Sequence, residues 1–398
     1  MLSERAKKMK PSATLALNAR AQELAKTGRD VINLGVGEPD WDTFENIKKA
    51  AVDALKKGFT KYTPAAGILE LRKAVVDRIK IDHNLDYEIS QCMIGLGAKQ
   101  VIFNALQVLC NPGDEVIIPS PYWVSYPTMA ELADARPVIA VCPKENNFKL
   151  SPEILKRSLT SKTKILILNS PNNPTGQLYS ESELKALAAV LELTGVIVIS
   201  DDIYDKMIFS SDLKIAPHIA TLSEKLRPRV LLANSCSKTY SMTGWRVGSL
   251  VGDSKVIQAC ANYQSQSASC PVSFAQKGAV EALTGSQDQI TSSMHVLNKR
   301  RLALLDIFKR SSIDCVEPFG AFYAFPNISQ TFGKKTMEGV LIDDSTSFSR
   351  ALLDLEAVAV VPGIEFGAEG HVRLSYAISE TRLVEALTRL NKFMASLK

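Results

Sequence analysis

Residues 164–200 read KILILNSPNNPTGQLYSESELKALAAVLELTGVIVIS, and the fold is decided here. Lys164–Asn169 and Val196–Ser200 are short runs rich in leucine and β-branched residues, without polar alternation, as strands covered on both faces require. Between them Ser180 and Glu183 stand at capping-box spacing, and Leu184, Leu187, Ala188 and Leu191 fall on one face of the helix that follows. Strand, helix and buried strand in that order predict parallel strands covered by a helix.

The alternation continues outward. Val116–Pro119, Val138–Cys142, Val230–Asn234 and Val247–Val251 are further strand candidates, and the alternating block runs from Ile47 to Gly285. Residues 47–285 are therefore expected as a large α/β domain with a mainly parallel sheet sandwiched by helices. Beyond it, Ile290, Met294, Leu297, Leu304 and Phe308 recur at helical spacing. Ala321–Phe325, Ala357–Val361 and Val372–Tyr376 read as strands between polar segments, and a last helix starts at Ser379 and buries Leu383, Leu387, Leu390 and Met394. Residues 286–398 are expected as a smaller α+β domain, with 1–46 an N-terminal arm that also joins it.

Composition excludes several classes. The 398 residues are 46% apolar, ample for a core, and 47 Lys+Arg against 42 Asp+Glu leave only +5, too small a surplus to expect nucleic acid as a partner. No apolar run approaches the roughly 18 residues of a membrane span, and no apolar stretch follows the basic first ten residues, so neither membrane insertion nor secretion is expected. Seven cysteines without a CxxC pair fit a reducing, cytoplasmic compartment and no metal site. Four isolated histidines argue against a Ser-His-Asp triad, and no G-x-G-x-x-G follows the first strand, against a dinucleotide dehydrogenase.

Chemistry concentrates in Ser235-Cys-Ser-Lys238-Thr-Tyr-Ser-Met-Thr-Gly-Trp-Arg246-Val-Gly248, between two of the predicted strands. A lysine held between buried strands is partly desolvated, which favours the neutral amine needed for Schiff-base chemistry. An arginine eight residues on supplies a fork for phosphate oxygens. Taken alone, Lys238 reads far more readily as a surface lysine beside a tight turn.

Seven more segments accompany it: Gly35-Val-Gly-Glu-Pro-Asp40, Tyr62-Thr-Pro-Ala-Ala-Gly67, Gly97-Ala-Lys-Gln100, Pro121-Tyr-Trp-Val124, Asn172-Asn-Pro-Thr-Gly176, Asp201-Asp-Ile-Tyr204 and Arg373-Leu-Ser-Tyr376. In this order, over essentially the whole chain, they resemble the class I aminotransferases, pyridoxal-phosphate enzymes of fold type I. The resemblance implies a mostly parallel seven-stranded sheet and a pyridoxal 5′-phosphate held covalently by Lys238, whose freed amine then moves the substrate's proton. It implies Asp201 beneath the pyridine nitrogen, Tyr204 and Asn173 on the phenolic oxygen, and Trp123 stacked on the ring. A phosphate cup would combine the helix start at Gly97, Ala98 and Lys99 with Ser235, Ser237 and Arg246. Tyr62 would reach that cup from a neighbouring subunit, so a homodimer is implied. Arg373 would clamp the substrate α-carboxylate, where Gly37, Asn173 and Trp123 also meet substrate.

Lys10-Pro-Ser-Ala-Thr14 together with Gly97-Ala-Lys-Gln100 is similar to the bacterial and plant branch of the aspartate aminotransferases, in which Lys10 and Lys99 would read the distal carboxylate and some members accept prephenate. Phe44 and Glu365 depart from that pattern. The expected reaction is ping-pong transamination between L-aspartate and 2-oxoglutarate. Rivals are a transaminase of other amino acids or of prephenate and aromatic substrates, a pyridoxal-phosphate lyase on the same fold, and a transcription regulator, for whose DNA-binding segment the chain has no spare length.

Overall fold

The computed structural model describes residues 1–3, 6–7, 13–210 and 212–398. Twelve strands are formed among them: β1 Ile32–Asn33, β2 Cys92–Gly95, β3 Glu115–Ser120, β4 Arg136–Val141, β5 Thr163–Asn169, β6 Ile197–Asp201, β7 Val230–Ser235, β8 Gly248–Val251, β9 Tyr323–Ala324, β10 Val358–Ala359, β11 Val361–Pro362 and β12 Val372–Ser375. Seven make one sheet in the order β2-β8-β7-β6-β5-β3-β4, parallel throughout except for β8, which runs antiparallel to both neighbours.

Alternate residues of the central strands feed two cores, as a strand's two-residue period demands. Ile117, Leu166, Val198 and Leu232 pack with Leu71, Leu184, Leu187 and Ala279 on one face. Val116, Ile165, Ile167, Ile199 and Leu231 pack with Val101, Ala105, Met129 and Cys260 on the other. Each fully buried Leu or Ile contributes about 1.5–3 kcal/mol. Truncating one, as in Leu166→Ala, would cost about 2–5 kcal/mol because the sandwich cannot collapse into the cavity. The capping box forms: Ser180 Oγ accepts from Glu183 N at 3.3 Å and Glu183 Oε2 accepts from Ser180 N at 2.7 Å, starting the helix Glu181–Leu191.

A third core gathers Leu297, Leu304 and Phe308 of the helix Asp288–Arg310 with Phe322, Phe348, Val372, Leu374, Leu387 and Phe393. β1 pairs in parallel with β10, so the chain near residue 32 joins the C-terminal strands.

Several strand expectations need correction. β2 escapes notice because four residues ending in glycine carry no pattern of their own. The Val138–Cys142 candidate is not covered on both faces: β4 is the sheet's edge, and Val141 is 68% exposed. Ala357–Val361 is two strands, one bound to β1 and the other to β12. In the helix Glu380–Ser396 Phe393 is buried, and Met394 is only half-buried.

Candidate active site

The parallel strands β5, β6 and β7 end side by side, with Asn169 opposite Asp201 and Asp201 opposite Ala233. Open α/β sheets present their sites at these carboxyl ends. Asp201 is 3% exposed. Its Oδ2 accepts from Tyr126 Oη at 2.6 Å, and Asn169 Nδ2 donates to its backbone carbonyl at 2.9 Å. Burial, with the neighbouring Asp202 adding to it against the Tyr126 hydrogen bond, pushes the Asp201 carboxyl up to about 6. A cationic ring nitrogen facing it would restore the carboxylate.

β7 ends at Ser235 and β8 begins at Gly248, so residues 236–247 are a loop pinned by two buried strands. Lys238 keeps part of its surface open to the cleft, but its ammonium is enclosed and donates to the Gly37 carbonyl. Desolvation pulls it down to about 8; Glu38 and Asp201 oppose that, and the cations Arg373 and Arg246 reinforce it. A substantial neutral fraction is then present near neutral pH, as a nucleophilic amine requires.

The helix Ala98–Leu109 opens beside the same loop, with Gly97 as its N-cap at φ +90°. The N–H groups of Ala98 and Lys99 belong to its first turn, where no intrahelical acceptor exists. A Cβ on Gly97 would lie 2.7 Å from an Arg246 guanidinium nitrogen, so glycine is what lets that arginine close over the helix end. Ser235 and Ser237 share a hydroxyl pair at 2.7 Å. Helix dipole, hydroxyls and guanidinium together make an anion cup.

Arg373 projects from β12 and is 3% exposed. It donates to Asn173 Oδ1 at 3.0 Å and to the Gly35 carbonyl at 2.7 Å, and its guanidinium carbon lies 4.5 Å from the Tyr323 ring centroid and 5.1 Å from that of Phe366. Its Nε is buried without a partner, and among the described residues no carboxylate pairs with it. A buried cation with a spare N–H is costly unless an anion arrives. Asn173 Oδ1 is committed to that guanidinium, leaving Nδ2 to donate elsewhere. Tyr204 Oη shares a 3.0 Å hydrogen bond with Tyr323 Oη.

Trp123 is half-buried and meets Tyr126 edge-on, with ring centroids 5.3 Å apart. Lys99 Nζ lies 4.9 Å from the Trp123 centroid; desolvation and then Arg246 hold its ammonium below the usual lysine range. Tyr62 stands apart, 90% exposed. Lys10 lies outside the described residues. Of the two departures, Phe44 packs against the large core instead of facing the cleft, whereas Glu365 is exposed on the turn that supplies Phe366.

Tyr126, Tyr323, Asn169 and the Gly35 carbonyl were not anticipated from sequence. Tyr126 sits three residues after Trp123, in the first turn of the helix Ser125–Leu132, which is a weak signal. Tyr323 gave no signal beyond a hydroxyl inside an apolar run.

The unpartnered Arg373 Nε and the glycine-walled cup at Gly97 are two places suited to anions, about the enclosed amine of Lys238. They fit pyridoxal 5′-phosphate and an amino acid carboxylate: Gly97, Ala98, Ser235, Ser237 and Arg246 would hold the phosphate, and Arg373 would take the carboxylate.

Residues 29–390 match the family described as aminotransferase class I and II. A probable aspartate/prephenate aminotransferase of Rickettsia conorii is 47% identical over 394 residues, covering 98% of both chains. The aspartate aminotransferase of Bacillus subtilis is 42% identical, covering 99% of this chain and 98% of its own. Among solved structures, the aspartate aminotransferase of Rhizobium meliloti superposes with a TM-score of 0.95 at 38% identity over 100% of both chains. That of Thermus thermophilus with maleate superposes at 0.92, with 39% identity over 99% of both.

Proposed function

This chain belongs to the class I and II aminotransferases, and from that premise we propose that it transfers the amino group of L-aspartate to 2-oxoglutarate, giving oxaloacetate and L-glutamate, with pyridoxal 5′-phosphate on Lys238. The observation that carries the reading is a pair of cations, Arg373 and Lys99, that have no carboxylate partner among the described residues. A dicarboxylate substrate needs two cationic anchors. The names of the relatives support the same substrate, and the Thermus thermophilus structure was solved with a dicarboxylate, maleate.

Pyridoxal phosphate, when bound, supplies an electron sink at the substrate α-carbon and carries the amino group between the two half-reactions. Everything else is work for this chain. Lys238 Nζ would hold the cofactor covalently and, once freed by the incoming amine, would carry the proton between the substrate Cα and the cofactor carbon that takes up the amino group. Asp201 keeps a proton on the ring nitrogen, and Tyr126 orients that carboxylate. Asn173 and Tyr204 donate to the phenolic oxygen. Gly97, Ala98, Lys99, Ser235, Ser237 and Arg246 hold the phosphate. Arg373 orients the α-carboxylate so that the Cα–H faces Lys238, and one site serving both acids makes the scheme ping-pong.

Tyr62, exposed on its own chain, is suited to complete the cup of a second copy, so the active species is a homodimer. Seven cysteines that are all free fit a reducing cytoplasm. Relatives named for prephenate support a second acceptor, a 2-oxo acid that also bears a further carboxylate.

Mixing the yellow holoenzyme with single amino acids and following loss of the visible absorbance tests the proposal. Aspartate and glutamate should react fastest, and prephenate should restore the colour. Borohydride should fix the cofactor to the peptide carrying Lys238. Fixation on another lysine, or faster reaction with alanine or phenylalanine than with aspartate, would overturn the assignment.

A further inference from the structure

Tyr323 occupies a place between two parts of the site that otherwise act separately. Its hydroxyl is 3.0 Å from Tyr204 Oη, and its ring lies under the Arg373 guanidinium at 4.5 Å. It is 1% exposed, so neither contact is shared with solvent. The hydroxyl also lies 2.9 Å from where a Cβ on Gly37 would stand, and the Gly37 carbonyl receives the Lys238 amine. Three groups of the site, Tyr204, Arg373 and Gly37, thus meet one side chain that no sequence motif marked.

The hydrogen-bond direction follows from the chemistry, given the reading above in which Tyr204 donates to the cofactor's phenolic oxygen. Tyr204 has one proton, and spending it on that oxygen leaves its own oxygen to accept. Tyr323 must then be the donor in the tyrosine pair. A guanidinium over the face of a phenol draws electron density from its hydroxyl, which improves that donor. The charged groups around the pair are few: Arg373 and Asp201 act on Tyr204, and Arg373 and Glu38 act on Tyr323.

We propose that Tyr323 is a positioning residue for transamination: its hydroxyl donates to Tyr204 and so aims the Tyr204 proton at the phenolic oxygen, while its ring supports the Arg373 carboxylate clamp. One side chain couples the carboxylate anchor to the far end of the cofactor. The two duties reside in different atoms and can be separated.

The test uses pyridoxal-phosphate-loaded enzyme and reads the midpoint of the cofactor's visible absorbance against pH, alongside KM and kcat for aspartate. Losing one donor raises the proton affinity of the bound chromophore, so Tyr323→Phe should move the midpoint upward by about half to one pH unit. The ring remains, so KM should stay within about twofold. Tyr323→Leu removes the ring as well and should raise KM about tenfold. Tyr204→Phe should shift the midpoint in the same direction, and adding Tyr323→Phe to it should move it no further. Gly37→Ala, which intrudes on the same hydroxyl, should shift the wild-type midpoint but not that of Tyr323→Phe, and this arm does not depend on tolerating a change at the tyrosine.

A shift with Tyr204→Phe but none with Tyr323→Phe, or two shifts that add in full, would overturn the coupling while leaving the assigned reaction intact. An unmoved midpoint in Tyr204→Phe would overturn the role given to Tyr204 and the coupling with it.

Discussion

A methyl group on Gly248 would meet the carbonyl carbon of Gly97 at 2.4 Å and the Ala98 nitrogen at 2.6 Å. The first residue of β8 and the start of the helix Ala98–Leu109 therefore touch backbone to backbone. The two ends of the proposed phosphate cup, helix start and lysine loop, are held in register by the absence of a side chain.

Gly248→Ala is accordingly expected to pry the cup apart. Overpacking of this kind costs about 1–3 kcal/mol, and where the cost falls on the bound state the cofactor dissociation constant rises about 5- to 150-fold. Equilibrium dialysis of pyridoxal phosphate would measure it. Gly244→Ala in the same loop, where an added Cβ meets nothing within 4 Å, should leave the constant unchanged and serves as the control.

Asp205 gives a stability prediction with a definite sign. It is 6% exposed, accepts from Asn234 Nδ2 at 2.8 Å, and burial, against the pull of Lys206, pushes its carboxyl up to about 7. The folded protein then binds a proton there that the unfolded chain has released, between about pH 4 and pH 7. Its contribution to stability is full below the unfolded value and is lost as pH rises through 7. Asp205→Asn keeps an acceptor for Asn234 and has no charge to bury. Relative to wild type it should gain denaturation midpoint from pH 5 to pH 8, by an amount on the order of a few kcal/mol. An equal difference at both pH values would show that Asp205 titrates normally.

The central unit was legible because burial on both faces leaves strands such as Lys164–Asn169 with no polar residue to blur them, and because the Ser180 cap announces its helix. The edge strand was misread for the converse reason: Val141 is as apolar as Val198, and sequence does not say which strand has a neighbour missing. The site divides the same way. Lys238, Asp201 and Arg373 stand in segments that the family resemblance marks, but the atoms that hold them include the Gly35 and Gly37 carbonyls, which belong to every residue type. Tyr126 and Tyr323 lie in apolar surroundings where a tyrosine reads as core until its hydroxyl is seen to have a partner.

Tyr62 should matter only in an assembly. Nothing among the described residues covers its side chain, which is 90% exposed, so Tyr62→Phe ought to leave the folding midpoint of the protein unchanged while weakening cofactor retention. Removing one hydrogen bond corresponds to about 1 kcal/mol, or about fivefold in the dissociation constant. Sedimentation of the wild type should give a dimer. An active monomer whose cofactor affinity ignores Tyr62→Phe would remove the partner from the site.

The two carboxylate anchors make the sharpest prediction about substrate choice. Arg373 faces the α-carboxylate that every amino acid carries, so Arg373→Ala should lower kcat/KM for aspartate, glutamate, alanine and phenylalanine alike. Lys99 is placed differently. Its ammonium rests 4.9 Å from the Trp123 ring centroid, has no carboxylate partner among the described residues, and is held below the usual lysine range by desolvation. That leaves its charge available to an incoming anion but irrelevant to a substrate without one. Lys99→Ala should therefore lose one charge-assisted hydrogen bond of about 1.5–3 kcal/mol, roughly 10- to 150-fold in kcat/KM, with aspartate and glutamate only. Lys10→Ala is expected to behave the same way, on the grounds of its sequence segment alone. A lysine is a flexible point charge where a guanidinium would be a rigid fork, so uncharged side chains can displace it, and alanine and phenylalanine should keep nearly their wild-type efficiency. If both lysine variants leave aspartate within about twofold of wild type, the distal anchor lies elsewhere, and a transaminase of uncharged or aromatic amino acids becomes the better reading of the same cleft.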